Sequence, residues 1–388
     1  MLSKFLLQCA LIALVAAGCG PSTGGSGSGN NGGGGGNGGG GGLGNAGGTG
    51  NGGGTGSGGG TGGGGGIGNG GGTGSGGSGS GNGGGSGSAG GSGSAGGSGS
   101  AGGSGGGSGS GVLYDNDGPY GYTSQSIAVT GPNGSFTIVA YVPSTKGLHA
   151  VVMLSSGFQQ PAAAYAPYGE RLASWGIVTL LRDDPGVLGE SYDKIVADLG
   201  WIVTTWLPAQ QTSGSLAGLV DASNVGFAGH SRGGQNSLFA LEQGAKGLVK
   251  AFFGIDPVDS SQSGSESRTN LPTIGIPTIF LGETTDGGGC APTADNYQVL
   301  YGDAPAPSTL ITVVDADHTM FEDPSSCAFC TLCTAGTANA MTVLAQTKRY
   351  LMAFFAYQLL GDKAVGATLA GAGLAADATA GLVQTMSK

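Results

Sequence analysis

The sequence predicts an α/β domain in which a mostly parallel sheet is covered by helices on both faces. Short, continuously apolar runs such as residues 150–154 (AVVML) are typical of strands that are buried on both sides. These runs alternate along the chain with stretches of helical character. Such alternation favours parallel strands that are joined by helical crossovers.

The predicted strands begin with an antiparallel pair, because residues 127–130 and 136–141 flank the turn-forming residues 131–134 (GPNG). The later strands are expected to lie mostly parallel to one another. They cover residues 150–154, 177–181, 225–228, 251–255, 278–281 and 310–314.

Helical segments separate these strands. Residues 192–207 are expected to form a helix that ends at Pro208, since proline lacks a backbone donor and clashes with the preceding turn. The other predicted helices cover residues 163–175, 235–243 and 338–360.

The N-terminal part of the chain has a composition that does not suit a globular domain. Of the 91 glycines in the 388 residues, 57 lie in residues 20–111, a stretch without Asp, Glu, Lys or Arg. Such a segment lacks the apolar side chains that would offset the entropy of ordering. We therefore expect a disordered Gly/Ser-rich linker over residues 19–111 and one folded domain over residues 112–388.

Residues 1–18 are predicted to be an export signal. Lys4 precedes an apolar run over residues 5–17, which is too short to span a membrane but suits a signal-peptide core. Residues 16–19 (AAGC) resemble a bacterial lipobox, which implies cleavage before Cys19 and lipidation of its thiol. We expect a lipoprotein of the bacterial cell envelope, at the outer membrane or cell surface. Without the lipid, the protein would be secreted.

The charge of the folded domain excludes one class of partner. The whole chain has a formal net charge of −10, and Lys4 is the only charged residue before Val112, so the remainder carries −11. Nucleic-acid binding depends on neutralising phosphates with Lys and Arg, so we expect no nucleic acid as a partner. The acidity also disfavours docking on an anionic membrane, and the lipid anchor is the expected membrane contact.

Four cysteines remain in the folded domain: Cys290, Cys327, Cys330 and Cys333. An oxidising compartment favours disulfides, and we expect two, one of which joins the loop at Cys290 to the 327–333 loop. The sequence leaves the partner of Cys290 open. The spacing of the last three cysteines also suits a metal or iron–sulfur site, but the export signal favours disulfides. We expect neither a metal nor an organic cofactor.

Residues 229–233 (GHSRG) form a G-x-S-x-G motif between a predicted strand and a predicted helix. In that context the two glycines permit a sharp turn that exposes the serine hydroxyl above the helix N-terminus. We therefore predict that Ser231 is a nucleophile. A non-catalytic turn between strand and helix is the alternative.

A serine nucleophile needs a histidine to accept its proton, and the chain has three histidines. His230 adjoins Ser231 and is expected to point away from it, in a structural role. His149 precedes the third strand, at the opposite edge of the sheet. His318 follows the last predicted strand, and the order nucleophile, acid, histidine favours it as the general base.

Two aspartates are candidates for the acid that orients this histidine, because both follow strands between Ser231 and His318. Asp256 is held between a strand and Pro257, whereas Asp286 lies in a Gly-rich loop. A rigid position suits an orienting carboxylate, which favours Asp256 and leaves Asp286 as the alternative. Asp259, Asp315 and Asp317 are weaker candidates that suit turns or the surface.

An oxyanion hole requires two converging N–H donors. The backbone amide of Arg232, directly after the nucleophile, is the first candidate. The second is Phe158, in the loop of residues 155–158 (SSGF) after the third strand. A purely structural turn is the alternative for this loop.

These motifs together resemble the chlorophyllase-type branch of the α/β-hydrolase superfamily, over residues 150–360. Residues 229–234 (GHSRGG) are similar to the lipase motif of that branch, and so are residues 252–259 (FFGIDPVD) and the pair Asp317-His318. The resemblance implies an α/β-hydrolase fold with Ser231 as nucleophile, Asp256 as acid and His318 as base.

The sequence departs from that family in two respects. Ser156-Gly157 stands where the family usually has His-Gly before the oxyanion residue. Asp286, in turn, is similar in position to the acid of cutinase-like polyester hydrolases, so the choice between the two aspartates stays open.

The expected function is hydrolysis of carboxylic esters by a monomeric serine hydrolase of the carboxylesterase or lipase type, through an acyl-enzyme intermediate. Two alternatives remain open. One is an interfacial polyester or lipid hydrolase of the cutinase type. The other is a non-catalytic binding module at the cell surface, in which the G-x-S-x-G turn is vestigial.

Overall fold

The central sheet has the strand order β1-β2-β4-β3-β5-β6-β7-β8-β9 in a computed structural model of the chain. The structure describes residues 113–182, 191–245, 247–260, 267–285, 290–325 and 333–388. Its strands are β1 Tyr122–Gly131, β2 Gly134–Pro143, β3 His149–Ser155, β4 Val178–Arg182, β5 Val220–His230, β6 Val249–Ile255, β7 Thr278–Glu283, β8 Ser308–Val313 and β9 Val383–Ser387.

The middle of the sheet is parallel and its margins are antiparallel. Strands β4, β3, β5, β6, β7 and β8 run in one direction. The hairpin β1–β2 joins antiparallel to β4 on one side, and β9 joins antiparallel to β8 on the other. The carboxyl ends of the six parallel strands therefore meet along one edge of the sheet.

Helices cover both faces, as expected for an α/β-hydrolase fold. The α-helices are α1 Ala166–Ser174, α2 Tyr192–Trp201, α3 Leu207–Thr212, α4 Arg232–Ala240, α5 Tyr297–Asp303, α6 Ala340–Phe355 and α7 Leu374–Thr379. Three segments, Ile202–Trp206, Leu241–Ala245 and Ala356–Leu360, form π-helical turns, and short 3₁₀ helices lie at Ala162–Tyr165, Ser267–Thr269, Leu271–Thr273, His318–Phe321 and Ala370–Ala372.

Two apolar layers hold the helices to the sheet. Successive residues of a strand point to opposite faces, so Phe253 joins the layer beneath α1 and α6 while Phe252 joins the layer beneath α2, α4 and α5. All the residues of β4 are buried, as expected for a strand covered on both faces.

The helix expected to end at Pro208 continues beyond it. A π-helical turn at Ile202–Trp206 precedes Pro208, which then occupies the first turn of α3. Proline is tolerated in a first turn because the amide it lacks needs no intrahelical acceptor there, so the prediction of a stop was wrong.

Several predictions fall outside the described residues. These are the export signal of residues 1–18 with Cys19, the linker of residues 19–111, the alternative acid Asp286, and the pair Cys327 and Cys330. Within the described ranges, no helix has both the length and the hydropathy needed to cross a membrane.

Candidate active site

Ser231 lies at a sharp turn between β5 and α4, with a φ of 53° and a ψ of −126°. A residue with a side chain rarely adopts such a conformation, so the surrounding structure must hold it. The Ser231 amide donates to the carbonyl of Ile255 over 3.1 Å, and its carbonyl accepts from the amide of Val258 over 3.2 Å. The end of β6 therefore fixes the turn from both sides.

Glycines make this turn sterically possible. A Cβ on Gly233 would lie 2.1 Å from the carbonyl oxygen of Ser155, and a Cβ on Gly229 would lie 2.4 Å from the carbonyl oxygen of Gly233. Both obstacles are backbone atoms, which cannot rotate away. The two glycines of the G-x-S-x-G motif thus let α4 pack against β5 and against the end of β3.

His318 lies beside Ser231, with 2.9 Å between its Nε2 and the serine Oγ. It begins the 3₁₀ helix that follows β8, and the side chain of Asp317 caps that helix by accepting from the amide of Thr319. The same carboxylate accepts from the amide of Gly336 over 2.7 Å. Asp317 therefore serves the turn, as the sequence predicts, and it stabilises the segment that carries His318.

Asp256 reaches the other side of the same imidazole. Its Oδ2 lies 2.6 Å from His318 Nδ1, and its side chain is fully buried. Because a carboxylate accepts, Nδ1 carries the proton and Nε2 is left to accept from the hydroxyl of Ser231. The backbone amide of Asp256 donates to the carbonyl of Leu281, which fixes the position of the carboxylate between β6 and β7.

The remaining aspartates serve local structure. The buried carboxylate of Asp259 accepts from the side chain of Gln235 over 2.9 Å and from the amide of Ser267 over 2.8 Å. The carbonyl of Asp315 accepts from the amides of residues 337 and 338. The contacts of Asp315 match the turn role that the sequence predicts. The surface or turn role expected for Asp259 was wrong, because its carboxylate is buried and joins Gln235 to Ser267.

The loop after β3 approaches the nucleophile. A Cβ on Gly157 would lie 3.5 Å from the Cβ of Ser231, so the loop and the turn are in contact. The amide of Gly157 donates to the hydroxyl of Tyr165. The next amide, that of Phe158, has no hydrogen-bond partner among the residues that the structure describes.

The two residues predicted to line an oxyanion hole also contact each other through their side chains. The guanidinium carbon of Arg232 lies 5.3 Å from the ring centre of Phe158 and 4.1 Å from that of Tyr192. Such cation–π contacts stabilise a cation against an aromatic face. The Arg232 side chain therefore connects the loop after β3, the turn at Ser231 and the start of α2. The sequence carried no signal for the part that Tyr192 plays.

The other two histidines lie where the sequence predicts them. His149 begins β3, at the opposite edge of the sheet, and its ring nitrogens contact the carbonyls of Gly176 and Thr145. His230 is buried, and its ring nitrogens contact the hydroxyl of Tyr165 and the carbonyl of His318. Neither ring nitrogen of His230 contacts the hydroxyl of Ser231.

A disulfide joins Cys290 to Cys333, across 43 residues of sequence. It confirms the prediction that the loop at Cys290 is bridged to the 327–333 loop, and it identifies the partner. The metal or iron–sulfur alternative would need the thiolate of Cys333, which this bond consumes.

Comparisons with known proteins identify the relatives of this chain. The family model described as Chlorophyllase matches residues 116–370. A bis(hydroxyethyl) terephthalate hydrolase of Streptomyces coelicolor is 27% identical over 195 residues, which are 49% of this chain and 56% of that protein. A cutinase of Thermobifida alba is 24% identical over 198 residues, 50% of this chain and 61% of its own length. A cutinase of Thermobifida fusca is 23% identical over 198 residues, 50% of this chain and 60% of its own length. The chain thus spans somewhat more than half the length of these relatives.

Proposed function

The chain belongs to the chlorophyllase family, and from this premise we propose that it hydrolyses carboxylic esters as a serine hydrolase of the cutinase type. One observation carries the proposal: two short contacts run from the Oγ of Ser231 through the imidazole of His318 to the carboxylate of Asp256. The relatives named as cutinases and as a terephthalate ester hydrolase support it.

In the proposed mechanism Ser231 attacks the ester carbonyl. His318 Nε2 accepts the hydroxyl proton as the bond to the carbonyl carbon forms, which activates an otherwise weak nucleophile. Asp256 holds the imidazole in the required tautomer and stabilises its protonated form. The same imidazole then donates the proton to the leaving alcohol.

The negative charge that develops on the carbonyl oxygen needs donors that are already in place. We assign this part to the backbone amides of Phe158 and Arg232. The amide of Arg232 is the first of α4, where the positive end of the helix dipole lies. Water then attacks the acyl carbon while His318 accepts its proton. The bond from the acyl carbon to the Oγ of Ser231 breaks, His318 returns the proton to Oγ, and the carboxylic acid is released.

A Ser231→Ala variant tests this mechanism with a short p-nitrophenyl ester and a fluorophosphonate probe. We expect activity to fall by at least about 10³-fold and labelling to be lost. Ser237→Ala is the matched control, because Ser237 is buried in α4 and its hydroxyl donates to the carbonyl of Gly233. If the wild-type protein is neither labelled nor active, the alternative of a non-catalytic binding module is favoured.

A second candidate function is the hydrolysis of polyesters at an interface. The side chain of Phe158 is 41% exposed beside Ser231, which offers an aromatic surface to a bound polymer chain. Release of soluble products from a polyester film, compared with turnover of a soluble ester, tests this function. We expect Phe158→Ala to lower film hydrolysis more than soluble-ester turnover, because its backbone amide remains.

We also propose that the protein is exported and anchored through a lipid on Cys19. The support is the sequence of residues 1–19, with a basic residue, a short apolar run and the AAGC end. Metabolic labelling with a radioactive fatty acid tests the proposal. The label should appear in the wild-type protein and be absent from Cys19→Ser, with the Cys9→Ser variant as the matched control. Unlabelled wild-type protein in the culture medium would instead support simple secretion.

A further inference from the structure

A second cluster of polar side chains lies buried behind the Ser231–His318 pair. The hydroxyl of Tyr165 contacts three groups: it accepts from the amide of Gly157 over 2.9 Å, donates to Glu322 Oε1 over 3.0 Å, and lies 2.8 Å from Nδ1 of His230. The three side chains are almost fully excluded from solvent. Burial, together with the charge of Glu322, holds the pKa of Tyr165 well above its usual range, so the phenol keeps its proton.

The cluster reaches His318 through its backbone. Nε2 of His230 lies 3.1 Å from the carbonyl oxygen of His318, and a carbonyl can only accept, so this nitrogen donates. The two imidazole rings also lie against each other, with 4.7 Å between their centres and 32° between their planes. The side chain of His230 therefore contacts both the main chain and the ring of His318, in addition to the cap that Asp317 provides.

Each member of the cluster belongs to a different part of the proposed active site. Gly157, which donates to Tyr165, directly precedes the proposed oxyanion residue Phe158. His230 directly precedes Ser231. Glu322 follows the 3₁₀ helix that begins with His318. The phenol oxygen thus contacts all three segments, and two of them also meet directly, since Nδ1 of His230 lies 3.1 Å from Glu322 Oε1.

None of the three side chains hydrogen-bonds to the Oγ of Ser231 or to a ring nitrogen of His318, so the proposed proton transfers do not pass through them. Polar groups are costly to bury, and hydrogen bonds within the cluster offset part of this cost, while Oε2 of Glu322 has no hydrogen-bond partner among the described residues. We propose that Tyr165, His230 and Glu322 are positioning residues, which hold the oxyanion loop and His318 in register with Ser231. The inference rests on the proposed function, since positioning is measured by its effect on ester hydrolysis.

Tyr165→Phe tests the inference, with Tyr168→Phe as its control. Both tyrosines are fully buried, and the hydroxyl of Tyr168 donates to the carbonyl of Phe321 over 2.8 Å without joining the cluster. We expect Tyr165→Phe to lower kcat about 10- to 100-fold with little change in KM, because a displacement of reacting groups acts on the chemical step. Tyr168→Phe should keep kcat within about threefold of the wild type.

A spectroscopic measurement separates positioning from general loss of stability. The proton between Asp256 and Nδ1 of His318 should give a low-field NMR resonance, because the two atoms are 2.6 Å apart. It should shift or broaden in Tyr165→Phe and stay unchanged in Tyr168→Phe. Equal losses of kcat in both variants, or an unchanged resonance in Tyr165→Phe, would overturn the inference.

Two further variants remain informative if Tyr165→Phe does not fold. Glu322→Gln keeps the size of the side chain and removes its charge, and it should also shift the resonance and lower kcat. His230→Gln can still donate to the carbonyl of His318, so it should retain more activity than His230→Leu; equal activity of these two variants counts against positioning. If wild-type protein hydrolyses no ester, the proposed function fails, while the resonance still reports whether the cluster positions His318.

Discussion

The carboxylate of Asp256 lies 2.6 Å from Nδ1 of His318, although 62 residues separate the two along the chain. The carboxylate is fully buried, whereas the imidazole is 11% exposed. A buried carboxylate in a low-dielectric surrounding interacts strongly with a charged imidazole. The carboxylate is therefore placed to stabilise the positive charge that develops on His318 during the proposed reaction.

This relationship predicts that Asp256→Asn abolishes most activity. An amide at this position would favour the wrong tautomer of His318, with its proton directed at Ser231. We expect kcat to fall by about 10³- to 10⁴-fold, measured with a soluble ester. Asp286→Asn is the comparison, and we expect it to change kcat less than threefold. A larger loss in Asp286→Asn than in Asp256→Asn would assign the acid to Asp286.

The close approach of α4 to the end of β3 predicts that Gly233→Ala is harmful. The added methyl group would meet the carbonyl oxygens of Ser155 and Ser156, at 2.1 and 2.5 Å. We expect unfolding free energy to fall by about 2–3 kcal/mol and activity to be lost, because α4 and Ser231 must shift. Urea unfolding and ester turnover measure both effects.

Gly200→Ala in α2 provides the control, since nothing lies within 4 Å of its added Cβ. Alanine has a higher helix propensity than glycine. The free energy of unfolding of this variant should therefore rise by about 0.5–1 kcal/mol, and its activity should be unchanged. A Gly233→Ala protein as stable and active as wild type would contradict the packing described for the turn.

The disulfide predicts a joint effect on stability and activity. Closing 43 residues of chain lowers the entropy of the unfolded state, so removing the bond should cost about 3–4 kcal/mol. The double variant Cys290→Ala/Cys333→Ala, compared with the wild type in urea, measures this loss. A loss below about 1 kcal/mol would contradict the prediction.

Removal of the disulfide should also lower activity, because the bond joins the segments that carry the proposed acid Asp256 and the proposed base His318. On the Cys290 side, the carbonyl of Asp295 accepts from the amide of Asp259, three residues after Asp256. On the Cys333 side, the amide of Gly336 donates to Asp317, next to His318. We therefore expect a lower kcat at temperatures where the double variant remains folded.

The raised pKa of Glu242 leads us to predict that the stability of the protein depends on pH. Burial, and to a smaller extent the charge of Asp259, raises the pKa of Glu242 from 4.5 to about 7, against the opposing contact with Asn270. Between these two values the folded protein binds a proton that the unfolded chain has released. Stability is therefore favoured at low pH and decreases as the pH rises from about 4.5 through 7.

Glu242→Gln should remove this dependence. Because Glu242 is only half-buried, solvent screens the destabilising effect of its charge. We expect the substitution to raise the free energy of unfolding by on the order of 1 kcal/mol at pH 8 and to change it little at pH 4.5. Urea unfolding at the two pH values measures the difference. An equal effect of the substitution at both pH values would contradict the assignment.

Most of the strands and the longer helices could be predicted from local patterns, whereas the short helices α5 and α7 were not predicted. The buried run of residues 150–154 became β3, His149–Ser155, because continuous apolar sequence requires cover on both faces. Strand β9 escaped prediction, since Val383 is its only buried residue and the strand depends on pairing with β8. The continuation of the helix beyond Pro208 was not predicted, because a π-helical turn precedes the proline.

The residues of the candidate site were likewise predicted only in part from the sequence. Local sequence predicted Ser231 from its flanking glycines, and chain order predicted His318. Tyr165 and Glu322 carried no recognisable role, because their partners are 65 and 157 residues distant from Tyr165 in sequence. Contacts of that range depend on the packing of helices on the sheet, which residue patterns alone do not encode.

By itself, the sequence determined the class of fold and the chemistry that a serine, a histidine and an aspartate at the ends of parallel strands can perform. These properties follow from residue type and local spacing. The tertiary structure decided which carboxylate among the described residues lies against His318, which cysteine pairs with Cys290, and which buried side chains join the loops. Such choices depend on distances across the sheet edge, and only the folded chain brings those atoms together.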